Sequence, residues 1–107
     1  MTILPTDAKV RKALPIGTGV IDYFPLALAE VAKVSVAGNQ QHNPGQPLHW
    51  AKEKSNDHAD CIIRHWIDRG QVEPDGQRAS AKLAWRALAN LEMEMEAEVI
   101  TAGETKI

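Results

Sequence analysis

Three stretches of this chain place apolar residues at helical rather than alternating spacing, and together they predict an all-α domain. The first, Leu26 to Val36, is almost wholly apolar and is broken only by Glu30, Lys33 and Ser35. It starts near Phe24, with Pro25 in the first turn, where a missing N–H costs nothing, and Asp22 as candidate cap. Gly38-Asn39 predicts its stop. The second runs from Asp57 to Gly70, with Ser55 or Asn56 as cap and Asp57 in the first turn. Asp57, Asp60, Arg64 and Asp68 form one polar row, and Ile62, Ile63, Trp66 and Ile67 cover the rest of the cylinder. The third spans about Arg78 to Glu98. Its apolar stripe, Leu83, Ala84, Ala87, Leu88, Leu91 and Met95, predicts the core-facing side, with Arg86, Glu92, Glu94, Glu96 and Glu98 toward water.

Residues 1–20, with Pro5, Pro15, Gly17 and Gly19 among basic side chains, read as an irregular N-terminal arm able to wrap the domain or a neighbouring subunit. Residues 39–51 form a long polar loop carrying His42, Asn43, Gln46, His49 and Trp50; ordered loops of that length are usually functional. Residues 71–76 are a turn, and 99–107 a flexible tail. The expectation is one compact domain over 21–98, of three main helices with a short fourth in the arm or loop.

Composition narrows this picture. A chain of 107 residues buries only part of its surface, so completion by oligomerisation is expected. A net charge of -2 provides no electrostatic footprint for duplex nucleic acid or an anionic membrane. There is no membrane-length apolar run and no signal-peptide layout at the N-terminus. Cys61 is the single cysteine, which excludes an intrachain disulfide and fits a cytoplasmic protein with a buried thiol.

Several constellations could carry chemistry. Asp57 and Asp60 are like charges three residues apart, and with Glu30 they could form a three-carboxylate magnesium site, implying a polyphosphate ligand. The competing reading is a solvated ladder, Asp60–Arg64 and Arg64–Asp68. Glu30, in an apolar helix, needs a cation, a metal or a proton as partner. His58, Cys61 and His65 share a face, but without a second ligand pair zinc is disfavoured, and His65 reads as packed beside Trp66. Core anchoring explains Trp66 and Trp85, whereas Trp50 ends a polar loop and could stack on a nucleobase. Gly17-Thr-Gly19 is too short for a phosphate-binding glycine loop.

The segment Asp22-Tyr-Phe-Pro-Leu-Ala-Leu-Ala-Glu30-Val-Ala-Lys-Val34, then Gly38, Asn43, Trp50, Arg64-His65 and Glu73-Pro-Asp75 before an alanine-rich helix, resembles a small phage family of dATP/dGTP diphosphohydrolase N-terminal domains. The resemblance spans about residues 20–92. It implies an all-α domain in the style of MazG-type pyrophosphohydrolases, which cleave nucleoside triphosphates between α- and β-phosphates with magnesium on helix carboxylates. Glu30 matches the second glutamate of the family's Glu-Glu pair, Asn43 and Trp50 its loop Asn-Trp, and Arg64-His65 its Arg-His pair. Ala29 replaces the first glutamate, and Ala79 and Lys82 stand at the two histidine positions of the last helix.

Two functions follow as expectations. In a magnesium-dependent nucleoside triphosphate diphosphohydrolase, Glu30, Asp57 and Asp60 would hold the metal, Lys33 and Arg64 would neutralise phosphates, and His65 or His42 would move protons. In a nucleotide-binding protein that has lost this chemistry, Lys33, His42, Asn43, His49, Trp50, Arg64 and Lys82 would grip the ligand. A phage could use such a protein in the host cytoplasm to sequester a nucleotide-derived immune signal. A ligand-free oligomeric scaffold is a third expectation. The lost carboxylate, the basic Lys82 and the lengthened loop favour binding, whereas Asp57 with Asp60 favours the enzyme.

Overall fold

The structure, a computed structural model, describes residues 2–54 and 56–105, with side chains as far as Val99. Four helices follow in order: α1 (Ala8–Lys12), α2 (Pro25–His42), α3 (His58–Ile67) and α4 (Ala79–Thr105). A single wide turn at Gly17–Ile21 precedes α2, and a 3-10 turn at Lys52–Lys54 precedes α3. Among the described residues there is no strand, only an isolated bridge between Val72 and Arg78. The domain is therefore all-α. Helix α4 is the spine, and α2 and α3 both pack on it. No described helix is long and apolar enough to cross a membrane.

The arm contains the expected short helix. Asp7 caps α1 through its carboxylate, which accepts the Val10 N–H at 3.4 Å. Pro25 occupies the first turn of α2 as anticipated, but Phe24 rather than Asp22 is the cap residue, without a side-chain bond. Helix α2 also runs through Gly38-Asn39 to His42. A helical glycine costs about 1 kcal/mol, and the helix nonetheless continues past it to Asn39, whose side chain bonds to the following loop.

Asp57 is the cap of α3 rather than a first-turn residue; Ser55 lies outside the described residues. Gly70 ends the segment as the pattern predicts, at φ 85°, a left-handed conformation that glycine adopts freely. Its N–H donates to Ser80 Oγ at 3.2 Å, fastening the end of α3 to the start of α4. The turn that follows closes when Glu73 N–H donates to Gln77 O at 2.9 Å, with Gly76 at φ 82°. The backbone of α4 continues to Thr105, through most of the segment expected as a tail.

The interior differs most from the pattern. The buried apolar residues are Cys61, Ala79, Ala81 and Ala89, and no large side chain is fully buried among the described residues. Leu88, Leu91 and Met95, expected on the core side of α4, are exposed. Helix α4 instead turns inward the face that carries Ala79, Lys82, Arg86, Ala89 and Met93. Two basic residues interrupt that face in sequence, and it is covered because Glu73 and Asp75 in the preceding turn receive Lys82 and Asp57 receives Arg86. In α3, Ile63, Trp66 and Ile67 are likewise exposed. Trp66 is not a core anchor; the Arg69 guanidinium lies 4.1 Å from its ring centroid.

Candidate functional site

A cleft of about 670 Å³ opens between the C-terminal half of α2, the loop after it and the inward face of α4. That volume suits a small organic ligand. Residue 39 builds one wall. Asn39 Nδ2 donates to Gln46 O at 3.0 Å, and its Oδ1 accepts the His49 N–H at 3.1 Å and Asn43 Nδ2 at 3.3 Å. One amide thus folds the loop back over the helix that carries it, bringing His42, Asn43, His49 and Trp50 to the rim of one cavity.

The opposite wall belongs to α4. Trp85 Nε1 donates to Ser35 Oγ at 2.7 Å, tying α4 to α2 beneath the loop. The Trp50 and Trp85 rings meet edge to face with centroids 5.5 Å apart, and the Lys52 ammonium lies 5.1 Å from the Trp50 centroid. Lys52 also pairs with Glu96, which anchors the 3-10 turn to the spine. That hydrogen bond raises the Lys52 pKa and lowers that of Glu96.

Lys82 projects into the cleft between two carboxylates, at 2.9 Å from Glu73 Oε2 and 2.7 Å from Asp75 Oδ2. Burial works against its charge, yet the hydrogen bonds to Asp75 and Glu73 together outweigh it and hold the lysine pKa above its ordinary value. The Lys82 bond in turn depresses the Asp75 pKa, helped by the Gln77 N–H. His65 Nδ1 lies 3.5 Å from Glu73 Oε1, so Glu73 spans the histidine and the lysine.

At the other end, Asp57 Oδ1 lies 3.5 Å from Arg86 Nη1 and Asp57 Oδ2 3.6 Å from Arg64 Nη2. The Cys61 thiol donates to Asp57 Oδ2 at 3.2 Å, and this bond, followed by Arg86, lowers the Asp57 pKa. Burial, then the neighbouring Asp57, pushes the Cys61 thiol pKa up, which makes it a structural thiol. His58 is buried with Nε2 3.2 Å from Met93 Sδ and Nδ1 3.5 Å from Arg86 Nη1.

The structure therefore divides the expected site. His42, Asn43, His49, Trp50, His65, Lys82 and Asp57 line the cleft, whereas Glu30, Lys33, Asp60 and Arg64 do not. Glu30 pairs with Lys33 at 2.8 Å, which lowers its pKa, and its other electrostatic partner is Arg78. Asp57 meets Arg86, two turns or about 12 Å further along α4. The carboxylate trio Glu30, Asp57 and Asp60 is thus not gathered. Among the described residues no group of three or more His, Cys, Asp or Glu side chains is placed to hold a metal. Nor does Arg64 form the expected ladder; it turns back to Asp57 and donates to Cys61 Sγ at 2.9 Å. Arg86, expected to face water, and Trp85, expected in the core, both line the cleft. Spacing puts Lys82, Arg86, Ala89 and Met93 on one helical face but does not mark that face as the inward one.

No family model, no curated protein and no solved structure matches the chain.

Proposed function

We propose that the protein binds a small nucleotide-derived ligand in this cleft and holds it without efficient hydrolysis, as a phage-type protein that sequesters a nucleotide signal in the host cytoplasm would. The supporting observation is the convergence of Trp50, Trp85, Asn43, His49, Lys82 and Arg86 on one cavity of about 670 Å³. Indole and amide groups suit a base and ribose, and ammonium and guanidinium suit phosphate. Lys82 spends two of three donors on Glu73 and Asp75, and Arg86 contacts Asp57 and His58 with a five-donor group, so both retain N–H groups for phosphate oxygens. A magnesium-dependent diphosphohydrolase would instead need its carboxylates together. Here Lys33 engages Glu30, and Arg86 and Arg64 engage Asp57. The same reading takes the working form to be a homo-oligomer, because so little apolar surface is buried within one chain.

The test is calorimetry and thermal shift against nucleoside triphosphates, cyclic oligonucleotides and ADP-ribose in EDTA, with mass spectrometry of recovered ligand. Binding without metal, an intact ligand, and at least about tenfold weakening by Trp50→Ala are expected. Turnover of a triphosphate with magnesium would sink the proposal in favour of the enzyme. No binding by any of these compounds would favour the scaffold.

A further inference from the structure

The accessible surface of the chain is 8491 Å². A compact monomer of its mass exposes about 5,900 Å², leaving roughly 2,600 Å² in excess. The radius of gyration agrees, at 16.3 Å against about 13 Å for a globule of this length. Obligate homodimers bury about 1,000–2,500 Å² per subunit, so the excess is of the size that a second copy would cover. One part of the uncovered apolar surface has a regular layout. Ala84, Leu88, Leu91 and Met95 recur at spacings of four, three and four along α4, the repeat of a helix–helix seam. Leu88, Leu91 and Met95 are 52%, 53% and 46% exposed.

We propose that this stripe is the interface between two copies of the chain, with the two α4 helices packed antiparallel. The inference rests on the oligomeric reading above and adds its surface and direction; it does not depend on the ligand. Charge decides the direction. Four of the eight residues from Leu91 to Glu98 are glutamates. A parallel pair would set both glutamate clusters side by side. An antiparallel pair separates them and opposes the helix dipoles favourably. In that register Leu88 meets Leu91 of the second copy, and the small Ala84 meets the large Met95, so the layers fill evenly.

The test has two parts. Sedimentation or light scattering of the full chain at micromolar concentration is expected to give twice the mass of 11.8 kDa. Leu88→Glu with Leu91→Glu should return it to the monomer mass or unfold it. A monomeric native chain overturns the oligomer itself; a dimer indifferent to the double substitution overturns the seam alone. For direction, Ala84→Cys and Met95→Cys chains are refolded together and oxidised, the native Cys61 being buried. Antiparallel packing gives a disulfide only in the mixture, since like positions then lie about 16 Å apart. Cross-linking of each variant alone, or none in the mixture, overturns the antiparallel seam.

Discussion

Trp85 and Ser35 lie 50 residues apart in sequence, and the indole N–H donates to the hydroxyl at 2.7 Å. This bond joins the two longest helices directly beneath the cleft. Ser35→Ala leaves a half-buried donor unmatched and should cost about 1 kcal/mol. A lower urea midpoint with an unchanged m-value, and altered Trp85 fluorescence, are the expected readouts.

Asn39 holds the cleft's loop through three bonds from one side chain. Asn39→Ala removes all three while leaving the helix backbone intact. Hydrogen exchange at His49 should accelerate far more than exchange in α3, because its N–H loses its acceptor. Unchanged protection at His49 would show that the loop is held by other contacts.

Most of what the chain's periodicity shows is helix existence rather than helix rotation. The three long helices and the glycine stop at Gly70 were legible because each depends on neighbours in sequence. The inward face of α4 was not, since Lys82 and Arg86 sit at its middle and look solvent-directed. They turn inward because Glu73, Asp75 and Asp57 receive them there, and periodicity does not encode those pairings. The same limit explains the site. Asn43, His49 and Trp50 share a loop that His42 leads into from the end of α2, and they could be grouped by eye, whereas separating Glu30 from Asp57 required knowing which turn of α4 each faces.

Acid should weaken the fold through Asp57 and Asp75, whose pKa values are depressed by Cys61 with Arg86, and by Lys82, respectively. A depressed carboxylate contributes stability that is fully present above its unfolded value, about 3.9, and disappears as pH falls through the lower folded value. Lys82 acts in the opposite direction, because its raised pKa contributes stability below the unfolded lysine value and loses it as pH rises through the folded one. Urea midpoints measured from pH 2 to 7 should fall at the acid end. Asp75→Asn should flatten that fall; an unchanged slope would remove Asp75 from the account.

Gly70 adopts φ 85° where α3 hands over to the turn. Gly70→Ala meets no steric obstacle from neighbours, so its effect isolates backbone strain of about 1–2 kcal/mol. Thermal melting should shift downward accordingly, while Gly38→Ala, in a helix and also with open space around it, should not destabilise.

Among the described residues, three of the four buried apolar ones are alanines, at positions 79, 81 and 89, and they let the spine helix come close to its neighbours. In most domains the harmful substitution is truncation of a large core side chain. Here little remains to truncate, and added bulk at a methyl contact is what would force the helices apart. The sensitivity of this fold to mutation is therefore inverted. Enlargement should be purged at the alanines, while the leucines of α4 answer to a constraint that acts between molecules rather than within one.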